Sequence, residues 1–235
     1  MKVTIHQPDL MPWLGFFVKI AKTDLWVVLD HTKNNPRDAS FWGRRVRVLV
    51  NGNPHLLSLP LVKPKNGNIG QQINEMEYND SNPKIFIDAL KTVELSYRRT
   101  PFFEDIFPLV EDFLLDSDYI LLSRNMKFIL STMQLLDIKC KILYSSTLDC
   151  RDTSTAMLAE ILQKVGATTY ICGDGAHGYQ VDSFILKRGF QIQYNNYSNP
   201  NYLQKGTRNF VPGLSVIDAL MNIGIEATRK IIFNE

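Results

Sequence analysis

The first thirty residues change twice between a strand-like and a helix-like pattern, and this alternation constrains the fold more than any other feature of the sequence. Residues 2–5 form a short alternating run that stops before Pro8. Apolar side chains then recur at helical spacing between residues 14 and 21. The continuous apolar run at 25–29, closed by Asp30, is typical of a strand covered on both faces. The opening therefore predicts a βαβ unit.

The middle of the chain carries two other patterns. Extended runs at 45–50 and 55–60 flank an Asn51-Gly52 pair, which favours a tight reversal through positive φ and predicts a β-hairpin. The stretch 83–138 has apolar residues three and four positions apart, and it predicts three or four helices.

Alternation returns in the last third of the chain. We expect Ser154 to cap a helix that ends at Gly166, and the final helix to end at Gly224. The predicted elements are strands at 141–144, 168–171 and 190–194, and helices at 156–165, 181–188 and 214–223. The sequence thus predicts one α/β domain over residues 1–235: a mostly parallel sheet with flanking helices, a β-hairpin and a helical insertion at about 83–138. Ligands bind such sheets at the carboxyl ends of the strands.

Composition excludes several classes of protein. The chain is 45% hydrophobic, and its 26 basic and 24 acidic side chains give a formal charge of +2, which by itself indicates neither a nucleic acid nor a membrane surface as partner. No apolar run approaches the roughly 20 residues that span a bilayer, and the amino terminus lacks the apolar segment of a secretory signal. We therefore expect a cytoplasmic protein without membrane insertion. The three cysteines form no Cys-x-x-Cys pair and no histidines lie at i and i+4, so we predict reduced thiols and no obligatory metal.

Polar side chains at the ends of the first two predicted strands are the first candidate site. His6 and Gln7 follow the first strand and precede a helix whose amino terminus favours an anion, and a neutral imidazole there could bind phosphate or move a proton. Asp30 ends the neighbouring strand, so its carboxylate could share a cleft with His6. Alternatively, His6 packs beneath the turn and Asp30 caps the turn that follows it.

A basic and aromatic segment lies just before and within the predicted hairpin. Guanidinium groups of Arg44 and Arg45 could grip phosphate, and Trp42 offers a face on which a base could stack. Cationic side chains also protect exposed hairpin edges, and for Arg47 this is the interpretation we prefer.

The third candidate is a glycine-rich segment after the predicted strand at 168–171. It spells Gly-x-Gly-x-x-Gly from Gly173 and carries Asp174 and His177, but it lacks the long helix and the later acidic residue of a dinucleotide site. We interpret it as a loop whose amides approach a ligand, with a plain surface turn as the alternative. Cys172 could be a nucleophile with His177 as its base, although a buried, unreactive thiol is the favoured interpretation.

Several longer motifs together resemble one known family. They are His6-Gln7-Pro8-x-x-x-Pro12-Trp13-x-Gly15-Phe16-Phe17-x-Lys19-Ile20, then Tyr97 and Pro101-Phe102-Phe103, and finally Asn199-Pro200-Asn201-Tyr202-Leu203-Gln204, Phe210-Val211-Pro212 and Leu214-Ser215-Val216-Ile217-Asp218. Over nearly the whole chain these motifs are similar to those of WbqC-like proteins from bacterial surface-polysaccharide gene clusters. Two departures are Arg44-Arg45, where the family tends to show Asn-Arg, and His177, in a loop that commonly carries lysine nearby.

The resemblance implies an association with lipopolysaccharide O-antigen synthesis and work on nucleotide-linked sugars. We expect Trp13, Tyr202 and Gln204, which lie in these motifs, to contact the substrate. The leading hypothesis is a transferase that moves an acyl or aminoacyl group from a donor to the amine of a nucleotide-linked amino sugar. His6 or Asp30 would accept the proton of the amine and Arg45 would grip phosphate. The alternatives are a nucleic-acid-binding or base-modifying protein and a non-catalytic assembly factor for polysaccharide enzymes.

Overall fold

A computed structural model describes residues 1–35, 41–64, 70–178 and 180–234. In chain order its main elements are β1 (Lys2–His6), α1 (Leu14–Ala21), β2 (Leu25–Val28), β3 (Lys33–Asn34), β4 (Arg45–Val50), β5 (Asn53–Ser58), β6 (Gln71–Gln72), α2 (Lys84–Tyr97), α3 (Phe103–Leu114), α4 (Leu121–Leu135), β7 (Lys141–Tyr144), α5 (Ser154–Lys164), β8 (Thr169–Cys172), α6 (Asp182–Leu186), β9 (Gln191–Tyr194) and α7 (Val216–Phe233).

The main sheet has five strands in the order β7-β2-β1-β8-β9, and every neighbouring pair is parallel. The predicted α/β class with a parallel sheet is confirmed. The chain builds the sheet outward from β1 to β2 and β7, and then returns to the other side of β1 for β8 and β9. The winding therefore reverses between β1 and β8, and a crevice at the carboxyl ends of these two strands is the expected place for a ligand.

The strand sequences explain why helices cover both faces of this sheet. Successive strand residues point to opposite sides, so Trp26 and Val28 pack in a core with α1, α7 and the helices α2–α4. Val3 and Ile5 pack in a second core with α5 and α6. Burial on both faces is the reason that β2 consists of a continuous apolar run.

The predicted hairpin is confirmed in β4 and β5, which pair antiparallel. Asn51 and Gly52 adopt φ values of 50° and 76°, the positive angles that a two-residue hairpin turn requires. The stretch 83–138 forms α2, α3 and α4, in agreement with the three or four helices predicted. Leu49 N in β4 donates to the Tyr97 hydroxyl at 2.8 Å, and this hydroxyl donates to the Asp218 carboxylate at 3.0 Å, so the hairpin, α2 and α7 are joined through buried groups.

Two helix termini differ from the prediction. Ser154 is the first residue of α5 and Thr153 occupies the N-cap position, so the Ser154 side chain is not placed ahead of the first helical amides. Gly224 interrupts α7 with φ 80° and ψ 176°, but the chain then resumes the helix to Phe233. The glycine is required because a Cβ there would lie 2.8 Å from the ring of Phe102, and the helix resumes because Thr228 and Ile232 are buried.

Candidate functional site

A cavity of about 340 Å³ lies beside the carboxyl end of β1. Its walls come from the end of β1, the loop that leads to α1, the hairpin and the start of α7, and the lining residues are His6, Asp9, Leu10, Pro12, Trp13, Trp42, Arg45, Val46, Arg47, Gly213 and Ser215. The Leu10 amide donates to the Trp42 carbonyl at 3.0 Å and the Ser215 amide donates to the Arg47 carbonyl at 2.8 Å. These backbone bonds join distant parts of the sequence into one site.

A second cavity, of about 350 Å³, adjoins the first and shares His6, Asp9 and Trp42 with it. Tyr170 of β8 and Leu158 of α5 complete its walls. The second cavity therefore involves both strands at which the winding of the sheet reverses. His6, Asp9 and Trp42 form the boundary that the two cavities share.

His6 is held with one ring nitrogen facing the backbone. Its Nδ1 lies 2.9 Å from the Gln7 carbonyl oxygen, which can only accept, so Nδ1 carries the proton and Nε2 keeps the lone pair. Phe16 packs edge-on against the ring at 5.1 Å. Although 32% of the side chain is exposed towards the cavity, desolvation lowers the pKa of His6 to about 3, and the Lys19 charge adds to the lowering. The imidazole is neutral at pH 7.

Asp9 is the carboxylate that accompanies His6. One oxygen lies 3.9 Å from His6 Nδ1, the side chain is 14% exposed, and within the described ranges no hydrogen bond reaches the carboxylate. Burial raises the pKa of Asp9 to about 7, and the ammonium of Lys19 limits the rise. A group with a pKa near the working pH is suited to accept and return protons.

Lys19 is the only charged residue of α1 and is 3% exposed. Burial lowers its pKa to about 8, against the attraction of Asp9, Cys172 and Asp174. Lys19 follows Gly15 and Phe16 by one helical turn, so it lies on the face of α1 that contacts His6 through Phe16 and Asn195 through Gly15. A cation therefore lies in an otherwise apolar helix that packs against His6, the last residue of β1.

The outer wall of the first cavity is aromatic and basic. Trp13 and Trp42 are 36% and 41% exposed, and the Arg47 guanidinium lies over the Trp42 ring, 5.4 Å from its centroid. Arg45 and Arg47 both line the cavity. Protection of the hairpin edge by Arg47 stays a prediction. The amino-terminal ends of α1 and α7 border the cavity through Trp13 and Ser215, which adds the positive ends of two helix dipoles.

The structure thus brings His6, Trp13, Trp42 and Arg45 together in the first cavity, and Gln7 lines the second. The Gln7 amide also donates weakly to the Thr32 hydroxyl at 3.4 Å. A role for these residues in catalysis or substrate binding stays a prediction.

Asp30 lies outside the linings of both cavities. It is 2% exposed, and its carboxylate accepts from the Ser145 hydroxyl at 2.9 Å, the Ser146 amide at 2.8 Å and the Ser146 hydroxyl at 2.6 Å. These bonds join the end of β2 to the turn after β7. Asp9, and not Asp30, lies beside His6, and a catalytic role for Asp30 stays a prediction.

Arg44 lines neither of the two cavities, and its contact with a substrate stays a prediction. Its guanidinium donates to the Leu59 carbonyl at 3.2 Å, which ties the start of β4 to the chain after β5. Of the two adjacent arginines, Arg45 alone lines the first cavity.

The glycine-rich segment forms a short turn of helix at Asp174–Gly178. Asp174 accepts from the backbone amides of Asn196 and Tyr197, and His177 stacks on Tyr194 with ring centroids 3.8 Å apart. A Cβ at Gly173 would meet nothing within 4 Å, so the glycine is not needed for a close approach to protein atoms. These contacts hold the segment against the chain after β9, and its contact with a ligand stays a prediction.

Cys172 does not have the features of a nucleophile. It is 1% exposed, and burial raises the pKa of its thiol to about 11. The favoured interpretation, a buried and unreactive thiol, agrees with this environment.

Tyr202 and Gln204 converge on Asp218 rather than on either cavity. The Tyr202 hydroxyl donates to the Asp218 carboxylate at 2.7 Å and the Gln204 amide donates to it at 2.8 Å. Gln204 also exchanges hydrogen bonds with the backbone of Val211. Burial raises the pKa of Asp218, and these donors oppose the rise. The closing motif therefore contains a network that fixes the loop before α7, and a contact of Tyr202 or Gln204 with the substrate stays a prediction.

Sequence reasoning missed Asp9 and Lys19. A signal for Lys19 was present, because a single charged residue interrupts the otherwise apolar helix Leu14–Ala21. Asp9 gave no comparable signal, since an acidic residue in a loop is ordinarily solvated. Only the folded chain places it against His6.

Within residues 1–35, 41–64, 70–178 and 180–234, no group of three or more His, Cys, Asp or Glu side chains is arranged to hold a metal ion. In the same parts of the chain, no helix has the length and apolar character needed to cross a bilayer.

Comparison with known proteins identifies the family. The model of the WbqC-like protein family matches residues 7–230. The chain belongs to the WbqC-like protein family. This WbqC-like chain is 26% identical over 228 residues to the uncharacterized protein Rv1507c of Mycobacterium tuberculosis (strain ATCC 25618 / H37Rv), and the alignment covers 96% of this chain and 95% of the relative. No solved structure matches. The family match begins one residue after His6 and includes Asp9, Lys19 and the remaining cavity residues.

Proposed function

We propose that this WbqC-like protein is a transferase of bacterial surface-polysaccharide synthesis that acylates, or aminoacylates, the amine of a nucleotide-linked amino sugar. Membership of the family is consistent with a polysaccharide-related role. One observation carries the proposal. A single cavity is lined by a neutral imidazole, by a carboxyl group whose pKa lies near 7, and by a wall of aromatic and basic side chains.

The reactive end of the site is the pair His6 and Asp9. An amine that attacks a carbonyl carbon must lose a proton, and an acceptor of suitable geometry accelerates this loss by roughly 10²- to 10⁴-fold. His6 Nε2 keeps its lone pair because Nδ1 donates to the Gln7 carbonyl. Asp9 lies on the Nδ1 side, where its charge favours the imidazolium that forms transiently.

The binding end of the site suits a nucleoside diphosphate. Arg45 and Arg47 supply guanidinium groups for the phosphates, and the two bordering helix termini add positive potential. Trp42 offers a half-exposed face for the base. With the nucleotide on this wall, the sugar would extend towards His6 and Asp9.

The proposed reaction forms an amide bond and releases the carrier of the acyl group. The amine nitrogen attacks the carbonyl carbon of an activated ester or thioester, a C–N bond forms, and the bond between that carbon and the ester oxygen or thioester sulfur breaks. The proton passes from nitrogen to His6 Nε2 and then to the departing oxygen or sulfur. The products are an amide and the free carrier alcohol or thiol.

The test begins with binding. Thermal shifts are measured with a UDP-linked amino sugar, UDP, an acyl-coenzyme A and a short oligonucleotide, because a ligand at 100 times its dissociation constant stabilises a protein by about 2.7 kcal/mol. We expect the UDP-linked amino sugar to raise the melting temperature, and Arg45→Ala to remove most of the shift. The matched control is Arg99→Ala, an exposed arginine at the end of α2 that lines neither cavity.

The chemical step is tested by mass spectrometry of the sugar after incubation with candidate donors. We expect His6→Ala to bind the nucleotide sugar but to lose roughly 10²-fold or more in product formation, whereas His55→Ala, on the exposed part of β5, retains both. Stabilisation by the oligonucleotide alone, weakening steeply with salt, would replace this proposal with a nucleic-acid function. Equal product formation by His6→Ala and the parent protein would remove His6 from the reaction.

A further inference from the structure

The second cavity differs from the first in the chemistry of its walls. Arg45 and Arg47 line the first cavity, whereas none of the described residues that line the second is a lysine or an arginine. Ile5, Leu158 and Tyr170 line the second cavity, and all three are buried. The second cavity therefore does not suit a phosphate group, but it offers an apolar surface to a small ligand.

The two cavities adjoin different hydrophobic cores of the protein. Leu10 and Val46, which line the first cavity, belong to the core that includes α1 and α7. Ile5, Leu158 and Tyr170 belong to the core that includes α5 and α6, on the other face of the sheet. A ligand in each cavity would therefore reach the shared boundary from a different side.

The carboxylate, imidazole and amide groups of the second cavity all come from one short segment, residues 6–9. His6 and Asp9 belong to the shared boundary, and the Gln7 amide donates to the Thr32 hydroxyl at 3.4 Å. Leu29, which is half-buried and packs against the second core, continues the apolar wall. This distribution suits a ligand with a polar group at the boundary and an apolar remainder.

We propose that the second cavity binds the acyl group of the donor and selects uncharged, apolar acyl groups of a few carbon atoms. The proposal rests on the proposed function for the reaction, but not for the binding of an apolar ligand. The acyl carbonyl would lie at the boundary beside His6, and its chain would lie against Leu158 and Tyr170. The amine of the sugar would reach the same boundary from the first cavity.

The size and the walls of the cavity define the preferred acyl group. Its volume of about 350 Å³ is near the lower end of the roughly 300 to 1,000 Å³ of small-ligand sites, which fits a short chain. An aminoacyl group would place its ammonium against apolar walls, and this desolvation is unfavourable. Asp9 does not offset it there, because its carboxylate belongs to the boundary where the carbonyl lies.

The experiment is an NMR titration of the whole protein with neutral primary amides from acetamide to pentanamide, which mimic the acyl group. The His6 ring signal, assigned by its loss in His6→Ala, reports binding at the boundary, and the ring of His55 on the exposed part of β5 is the control. We expect the dissociation constant to fall by roughly fourfold for each added methylene. Glycinamide, which is charged at a pH of about 6, should bind at least about tenfold more weakly than propionamide, its uncharged isostere.

Two variants separate the cavities. Leu29→Trp fills the second cavity from its half-buried wall, so butanamide should bind roughly tenfold or more weakly, while the UDP-linked amino sugar still raises the melting temperature. Arg45→Ala should have the opposite effect, because Arg45 lines only the first cavity. The matched control is Leu186→Trp, at the exposed end of α6 and outside both cavities, which should keep both ligands.

Four results would each overturn the proposal: no detectable binding of butanamide, an affinity independent of chain length, equal binding by the parent and Leu29→Trp, or glycinamide binding as tightly as propionamide. If Leu29→Trp gives a spectrum without native dispersion, Leu158→Phe is titrated in its place with the same criterion. Binding of the amides without binding of UDP-linked amino sugars would count against the proposed function alone. Binding of the sugar without the amides would count against the acyl site alone.

Discussion

Replacement of Lys19 by Met should make the protein more stable, because it removes a charge from a side chain that is only 3% exposed. The pKa of Lys19 falls from 10.5 to about 8 on folding, mainly because burial disfavours the ammonium. At about 1.4 kcal/mol per pKa unit, this difference means that the charged side chain lowers the free energy of unfolding by about 3 kcal/mol. A methionine of similar length fills the space without that cost.

The pH dependence of the free energy of unfolding is a second test of whether the Lys19 charge destabilises the protein. The folded pKa lies below the unfolded value, so the unfolded chain holds the proton more tightly and the destabilisation is fully present below about pH 8. It diminishes as the pH rises from about 8 towards 10.5, because the folded protein then loses the proton first. The advantage of Lys19→Met over the parent should therefore be largest at pH 7 and should shrink at pH 9.5.

Urea unfolding followed by tryptophan fluorescence measures both quantities, since Trp26 is fully buried. At pH 7 we expect Lys19→Met to gain up to about 3 kcal/mol, or roughly 6 to 12 °C in melting temperature for a chain of this size. Lys187→Met, at the exposed end of α6, is the control for a lost surface charge and should change little. A folded Lys19→Met that is less stable than the parent, or whose advantage is equal at pH 7 and pH 9.5, would refute the reasoning.

Three further predictions concern the fold. Gly224→Ala should lower the free energy of unfolding by about 3 kcal/mol or more, because the new Cβ meets the Phe102 ring and φ is positive. Gly166 also has a positive φ but open space around it, so Gly166→Ala should lower the same quantity by only about 1 kcal/mol in the urea assay. Asp218→Ala should lower the free energy of unfolding by about 3 kcal/mol, since it leaves buried hydrogen-bond donors unpaired. A decrease below about 0.5 kcal/mol would mean that the hydrogen bonds to Asp218 do not stabilise the fold. Cys172 should react with a thiol reagent at pH 8 only as fast as the protein unfolds, which a comparison with and without urea will show.

Local patterns were sufficient for most elements of the sheet and the hairpin. The strand Lys141–Tyr144 lies where the sequence predicts it, and the Asn51-Gly52 turn adopts the expected angles, because both depend on neighbours along the chain. Sequence patterns were less reliable where contacts between residues far apart in the chain determine where a helix ends. Gly224 was recognised as a helix break, but the continuation to Phe233 depends on burial against other elements.

The candidate site was predictable in part. His6, Trp13, Trp42 and Arg45 were selected from residue type and position at strand and helix ends, and the structure gathers them around one cavity. Tyr202 and Gln204 were selected from the resemblance alone, and their hydrogen bonds lead to Asp218. A motif marks residues that belong together, but it does not separate those that bind a ligand from those that hold a loop.

The sequence by itself determined the class of fold, since alternation of apolar strands with amphipathic helices permits few arrangements other than a parallel sheet with helices on both faces. Only the tertiary structure decided which carboxylate accompanies His6. Asp30 is satisfied by the serines after β7, whereas no hydrogen bond reaches the half-enclosed Asp9 carboxylate from the part of the chain that the structure describes. The physical reason is that proton affinity depends on burial and on charges close in space, and neither is a property of residues near one another in the chain.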